Sequence, residues 1–498
     1  MTNSVEVDQI KSALDEAGQS HVYEQTGCFE GSGENPVLAQ LRKLNVKDSL
    51  QHFQSAMELQ NQMKEKLDYN PIREEDSDHF LNLATLAATE KSHYANIGLE
   101  AISKSQLAAI ILSGGQGTRL GFNGPKGMYN VGLTSQKSIF QLHIERVFRV
   151  KTLAAKAFNL SPEQVSIPIY VMTSDLNHHI IINFFKENNF FSYPQEDIIF
   201  FEQGLEPCFT FDGKMIVESR DALSLAPDGN GGIYRALEVS GSISDLKRRQ
   251  VQYVHIYGID NILTKSLDPV FLGICISKQI ECGNKIVWRA SKSEKVGTTV
   301  ENGGRMHIVE YSELPIELAE SMNDQTNRFL YGAGNICNHF MSLSFLTEKV
   351  IPNISGIYHI ANKKIPYYDV QEGKTITPKT PNGVKLEMFI FDVFPFADKW
   401  IVIETAREDE FAPVKNEPGN PADSPDTARA LISLQGVRWL KDQGVTILSK
   451  DGNEASFNYS MLPPNSDAQC EISPLISYAG EGLEEWRGKT VTLPLLLH

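Results

Sequence analysis

The sequence predicts an α/β protein with a doubly wound mixed sheet at its core, and three observations predict it. The apolar run Leu107–Leu112, with β-branched Ile110 and Ile111, has the length of a buried strand and runs straight into glycines. From about 106 to 405, short apolar strands alternate with helical stretches. Each polar cluster of interest follows the end of a strand, the edge where open α/β sheets bind ligands.

Taken in order, residues 1–105 read as helical. Val37, Leu38, Leu41, Leu44 and Leu50, then Leu81, Leu83, Ala84 and Leu86, recur at three and four spacings. This stretch is expected to be a helical N-terminal domain that braces the core. Within the core, 138–150 reads as a helix with Ile139, Phe140, Leu142, Ile144, Val147 and Phe148 on its apolar face. Strands are expected at 167–172, 198–201 and 253–257, ending in Thr173-Ser174-Asp175, Glu202-Gln203-Gly204 and Gly258-Ile259-Asp260-Asn261. A helix follows the first of these through Phe184 and Phe185. Pro413, Pro418, Pro421 and Pro425 among Asn, Asp and Ser mark a loop. Beyond it a helix at 427–442 and short strands from 468 onward predict a smaller C-terminal α+β domain. The expected domains are thus 1–105, 106–405 and 406–498.

Composition excludes several classes. At 498 residues and 41% hydrophobic, the chain can bury large cores. Its net charge of −16 opposes general nucleic-acid or anionic-membrane binding, which needs a basic surface. No run approaches the length of an apolar membrane span. The six cysteines, at 28, 208, 275, 282, 337 and 470, form no C-x-x-C pair, as expected of reduced thiols in the cytoplasm.

The glycines after the first strand, in Leu112-Ser113-Gly114-Gly115-Gln116-Gly117-Thr118-Arg119-Leu120-Gly121, fit neither familiar phosphate loop. A dinucleotide fingerprint from Gly115 and Gly117 would need its third glycine where Leu120 stands. A Walker A loop would need Gly-Lys-Ser/Thr, but Pro125 precedes Lys126 and Gly127 follows it. The loop still lets backbone N–H groups meet phosphate oxygens, with Arg119 and Lys126 adding charge. A ligand-free strand-to-helix turn would not need that basic spacing.

Other constellations follow. Asp228-Gly229-Asn230-Gly231-Gly232 is longer than a bare turn requires and is expected to bring backbone close to a ligand. Asp260, a carboxylate at a strand end, suits Mg²⁺ beside phosphates, although an Asp capping the next helix would look the same. Glu310 and Asn335 offer side chains that suit sugar hydroxyls, which both donate and accept. His339 reads as a satisfied core histidine, and His178 and His179 as surface or packing residues. Lys385, Arg407 and Lys415 supply late positive charge.

These strings, with 114–132, 219–237, 254–263, 332–340, 391–396 and 472–482, resemble the eukaryotic UDP-N-acetylhexosamine pyrophosphorylases over about 106–482. Ser113 stands where alanine is common and Gly258 where a cysteine often sits. The resemblance implies a Rossmann-like nucleotidyltransferase core that joins UTP and N-acetylglucosamine 1-phosphate into UDP-N-acetylglucosamine and pyrophosphate. It implies Arg119, Lys126 and Lys415 as catalytic cations and Asp260 as the ligand of Mg²⁺ or Mn²⁺. It places Leu112, Ser113, Gly114, Gly115 and Gly258 against the substrates. Gln203 and Gly229 would read uracil, Asn230, Glu310, Tyr311 and Asn335 the sugar side, and Lys385 and Lys415 the phosphates. A monomer or homodimer in the cytoplasm, without nucleic-acid or membrane partners, is expected. UDP-glucose or UDP-galactose synthesis and a catalytically silent sugar-nucleotide sensor stay open as other readings.

Overall fold

The computed structural model of the chain describes residues 4–30, 35–62, 69–354 and 357–498. Two compact units emerge, each assembled from separate stretches. One gathers Met1–Asp68, Gln203–Ala236 and Val350–Val393; the other gathers Tyr69–Glu202, Leu237–Lys349 and Phe394–His498. Those limits cross the expected boundaries near 105 and 405.

The larger unit is organised on one mixed sheet. Its main strands are β1 (Phe80–Asn82), β2 (Leu107–Leu112), β3 (Ile169–Thr173), β4 (Ile198–Glu202), β5 (Tyr253–Gly258), β6 (Cys282–Trp288), β7 (Ala333–Ser342) and β8 (Trp400–Glu404). They lie in the order β1-β8-β6-β7-β5-β2-β3-β4. β7 runs antiparallel to both neighbours, and the other pairs are parallel. From β2 the chain steps out through β3 to β4, then returns to lay β5 on the other side of β2. The C-terminal ends of β2 and β5 therefore flank a topological switch point, where crevices in open α/β sheets form.

Every residue of β2 is buried, as its unbroken apolar run requires. The helix Ile139–Ala157 starts where Ser138 caps it, its side chain accepting from Gln141 N at 3.2 Å. Ile139, Phe140, Leu142, Ile144, Val147 and Val150 are buried in the main core with Phe185 and Phe271. Burial of each such side chain contributes about 1.5–3 kcal/mol. Phe140 also fixes the phosphate-loop segment, because a Cβ at Gly127 would stand 2.3 Å from its ring.

The leucines at 81, 83 and 86, expected on a helix, lie instead on and after β1. Leu83 N donates to Glu404 O at 2.9 Å, and Asn82 Nδ2 to Glu404 Oε2 at 3.0 Å. A three-residue strand whose partner comes 322 residues later leaves no local signature. The last part of the chain contains the helix Pro425–Asp442 and a core of its own around Val437, Leu440, Ile447, Leu493 and Leu497. It nevertheless belongs to the larger unit, held by Arg149 Nε to Glu481 Oε1 at 2.9 Å and Lys137 Nζ to Ser473 Oγ at 3.0 Å.

The smaller unit contains the helices Ser4–Glu16, His21–Thr26, Pro36–Lys43 and Val46–Gln62, in the region expected to be helical; its residues 1–3, 31–34 and 63–68 lie outside the described residues. It also holds the antiparallel pair Leu205–Pro207 with Leu225–Pro227, and a three-stranded sheet of His359–Lys363, Gly383–Glu387 and Phe209–Thr210. Among the described residues, no helix is long and apolar enough to cross a membrane.

Candidate active site

At the switch point, the loop after β2 is folded back on itself by its own backbone. Gly117 N donates to Gly124 O at 2.9 Å and Lys126 N to Gly115 O at 3.2 Å. The Gly117 amide, expected to face phosphate, is thus committed to the loop. Gly115 has open space where a Cβ would be, so a ligand can approach its backbone. The Ser113 hydroxyl is turned away and donates to Met172 O at 2.7 Å.

The loop delivers Lys126 to Asp260 at the end of β5, with Nζ 3.8 Å from Oδ2. Their side chains are 16% and 27% exposed, shielded yet within reach of a ligand. Burial holds the Lys126 ammonium below its ordinary pKa; Asp260 opposes the shift, and the cations Lys415 and Arg119 add to it. A ligand phosphate would relieve that strain. Asp260 is placed by a second segment: Val414 N donates to Asp260 O at 2.9 Å. Asn261 extends the seam, its Nδ2 donating to Glu410 O at 2.7 Å and its Oδ1 accepting from Ala412 N at 2.9 Å. These bonds bring the segment that ends in Lys415 beside Asp260, although Asn261 and Ala412 are 151 residues apart in sequence.

Gly258 leaves the space that Asp260 occupies, since a Cβ there would lie 3.0 Å from Oδ1 and 3.8 Å from the sulfur of Cys337. Cys337 itself sits at φ +53°, where the register of β7 against β6 shifts. Burial, and then the Asp260 charge, push its thiol up to about 12, so it is a spacer rather than a nucleophile. On the same strand Asn335 N donates to Gly297 O at 2.8 Å. A Cβ at Gly297 would be 3.4 Å from Glu310 Oε1, so that glycine adjoins both Glu310 and Asn335. Tyr311 is exposed.

Gln203, Gly229, Asn230 and Lys385 lie on the smaller unit. Here the glycines expected to approach a ligand are accounted for by the chain itself. Gly229 has φ +88°, and a Cβ on it would stand 2.3 Å from Met388 O. Gly231 N donates to Met388 O and Met388 N to Asp228 O, both at 2.8 Å. The Asn230 side chain is engaged too, its Oδ1 accepting from Ile390 N at 2.9 Å. Lys385 pairs across the sheet with Ala361.

Asn177 is a loop-positioning residue that sequence reasoning missed. Fully buried ahead of the helix His178–Glu187, it donates from Nδ2 to Gly114 O at 3.0 Å and accepts from Gln116 Nε2 at 2.6 Å. The signal was an Asn after a strand-end cluster, too common to single out. Asn177→Ala is expected to cost about 1–3 kcal/mol of stability and to loosen the loop, read as faster hydrogen exchange of the 114–117 amides. Unchanged exchange would show that the loop keeps its shape without it.

Three buried histidines are held uncharged at neutral pH. Burial lowers His143 to about 3, His255 to about 4 and His339 to about 3. His339 is only half satisfied, bonding Asn284 Oδ1 through Nδ1 at 2.9 Å while Nε2 has no partner among the described residues. His178, expected to lack an acidic partner, lies 3.5 Å from Glu202 and bonds Thr173 Oγ1 at 2.8 Å.

A doubly wound sheet that gathers bare backbone and clustered cations at its switch point defines a nucleotidyltransferase-like α/β protein. The family model described as UTP–glucose-1-phosphate uridylyltransferase matches residues 49–454, and the chain belongs to that family. The human UDP-N-acetylhexosamine pyrophosphorylase-like protein 1 is 44% identical over 80% of this chain and 78% of its own. The UDP-N-acetylglucosamine pyrophosphorylase of Saccharomyces cerevisiae is 35% identical over 96% and 97%. The crystal structure of the uridine diphosphate N-acetylglucosamine pyrophosphorylase from Trypanosoma brucei, in complex with inhibitor, superposes with a TM-score of 0.81 at 28% identity, covering 96% of this chain and 94% of that one.

Proposed function

We propose that the chain is a uridylyltransferase that makes UDP-N-acetylglucosamine and pyrophosphate from UTP and N-acetylglucosamine 1-phosphate. The observation that carries this reading is the Lys126–Asp260 pair, flanked by Arg119 and Lys415, at the switch point of a family fold whose relatives bear UDP-N-acetylglucosamine names. Those names favour the amino sugar over glucose.

A sugar-phosphate oxygen attacks the α-phosphorus in line. The bond to the pyrophosphate oxygen breaks, and that oxygen keeps the electron pair. Two polyanions must meet, so the chain contributes position and charge rather than a nucleophile. Lys126, Arg119 and Lys415 neutralise phosphate oxygens while the open backbone of Gly115, with Gly114 before it, orients them, with Leu112, Ser113 and Gly258 shaping the floor. Gln203 and Gly229 take the uracil, and Asn230, Glu310, Tyr311, Asn335 and Lys385 the sugar phosphate.

Among the described residues no group of three His, Cys, Asp or Glu is poised to cage a metal. That suits Mg²⁺ or Mn²⁺ carried on phosphates and met by one carboxylate, Asp260, where it would supply charge neutralisation. The unpaired cysteines fit a reducing cytoplasm. A monomer or homodimer, needing neither nucleic acid nor membrane, completes the proposal.

Pyrophosphate release from UTP with a panel of sugar 1-phosphates, with and without Mg²⁺, tests it. N-acetylglucosamine 1-phosphate should be used far better than glucose 1-phosphate; no pyrophosphate release with any of the sugars would leave a catalytically silent sensor. Asp260→Asn should abolish the Mg²⁺-dependent turnover while leaving the thermal midpoint unchanged. Retained Mg²⁺ dependence would remove Asp260 from the metal site.

A further inference from the structure

The smaller unit hides a pair of carboxyl groups that the reaction does not use. Asp228 and Glu206 are 2% and 4% exposed, and each keeps one oxygen, Oδ1 and Oε2, without a hydrogen-bond partner among the described residues. Buried oxygens of this kind are costly when charged. Their surroundings come from four elements. Glu206 lies on the strand Leu205–Pro207, opposite Ala226. His52, from the helix Val46–Gln62, meets Glu206 Oε1 through Nδ1 at 3.0 Å. Arg235, from the helix Ile233–Val239, stands 3.6 Å from the same oxygen, and the Tyr358 hydroxyl stands 3.5 Å from it. Glu206 therefore has two basic partners, whereas Asp228 has none within bonding distance among the described residues.

The Asp228 carboxyl is wedged between two glycines. A Cβ on Gly204 would lie 2.5 Å from Oδ2, and one on Gly232 would lie 2.0 Å from Oδ1. Asp228 N donates to Gly204 O at 3.2 Å, and its carbonyl accepts from Met388 N at 2.8 Å. One side chain thus spans the segment after Gln203 and the loop carrying Gly229 and Asn230.

We propose that Asp228 is a positioning residue whose neutral carboxyl clamps the 203–204 and 228–232 segments together, so that uridine-nucleotide affinity depends on keeping one buried acid protonated. The inference rests on the reading of Gln203 and Gly229 as base-binding residues. Burial first, and the Glu206 charge second, push Asp228 up to about 7, with Arg235 opposing. Below pH 7 the clamp is neutral. Above it, a second negative charge stands beside Glu206 and the segments loosen. His52 gives the N-terminal helices a part in this device, because its bond to Oε1 fixes the Glu206 carboxyl beside Asp228.

The test uses the full chain and compares the parent with Asp228→Asn from pH 6 to 8.5. KM for UTP in the parent should rise several-fold above pH 7 with kcat little changed, while the variant stays flat. Titration of the nucleotide's own phosphates is common to both proteins and cancels in the ratio of their KM values. Hydrogen exchange of the amides in 203–210 and 226–234, corrected for intrinsic rates, should accelerate across pH 7 in the parent alone. Asp228→Ala, which removes the wedge, should raise KM at every pH. A KM ratio independent of pH, or exchange in the parent that does not change across pH 7, overturns the proposal. The exchange measurement on the parent holds even if the variants fold poorly. Gln203→Ala separates the two readings: an unchanged KM for UTP removes the base assignment, whereas the clamp still stands or falls on the exchange data.

Discussion

Lys126→Ala is expected to lower kcat by about 10²–10³-fold, the scale on which losing one preorganised charge donor is felt. The ammonium lies 3.8 Å from Asp260, and burial depresses its pKa with help from Lys415 and Arg119. The free protein therefore holds this charge against its surroundings, and an arriving triphosphate receives it without reorganisation. Two consequences separate a catalytic from a structural role. The first is that Lys126→Met should leave the denaturation midpoint unchanged or raised, since a strained charge is removed. The second concerns pH. A lysine with a lowered folded pKa loses its proton sooner as pH rises, so kcat/KM should begin to fall at a lower alkaline pH than an ordinary lysine would give. Bound nucleotide, by restoring negative charge beside Nζ, should push that limb in kcat back up. A Lys126→Ala enzyme with parental kcat would reject the assignment.

Local signals and distant ones were not equally legible. β2 and its glycine loop could be read because an apolar run, a turn and a cation all lie within 20 residues of one another, and the observed strand is the expected Leu107–Leu112. The helix from Ile139 and the strand ends at Thr173, Glu202 and Gly258 were legible for the same reason. The edge strand Phe80–Asn82 was not, because its identity resides in Trp400–Glu404. Its leucines happened to fall at helical spacings. Asn261 was visible as a polar residue after β5, but its work is to bind the 410–412 backbone, a contact no local pattern encodes. The glycines of 228–232 carried a true signal of close approach, yet sequence could not say whether ligand or Met388 would be the neighbour. Close backbone contact leaves the same composition in either case.

The other large effect is expected at Lys285, a residue with no sequence signal at all. It is fully buried on β6, with Nζ 2.6 Å from Asp268 Oδ2 and 2.7 and 3.0 Å from the two oxygens of Glu410. Thr405 Oγ1 donates to Glu410 at 2.8 Å. Burial works against the Lys285 charge, but Asp268 and Glu410 outweigh it and hold the pKa above the ordinary value. Asp268 in turn is held below its own, with Lys285 overcoming burial. Lys285→Ala would strand two carboxylates in the core, at a cost of about 3–5 kcal/mol read as a lowered denaturant midpoint. Replacing all three groups by Met, Asn and Gln should recover most of it, because no unpaired charge then remains. The pH signs differ for the two partners. The lowered Asp268 pKa gives stability that is present above the ordinary carboxylate range and lost as pH falls through the folded value. The raised Lys285 pKa gives stability that is present below the ordinary lysine range and lost as pH climbs through its folded value. Alanine at 285 should erase both limbs. It should also lower turnover, since Glu410 opens the segment that Asn261 sews beside Asp260 and that ends in Lys415. A midpoint within about 1 kcal/mol of the parent, the range of an exposed ion pair, would mean that the buried triad is replaceable and that Lys415 is positioned by the Asn261 seam alone.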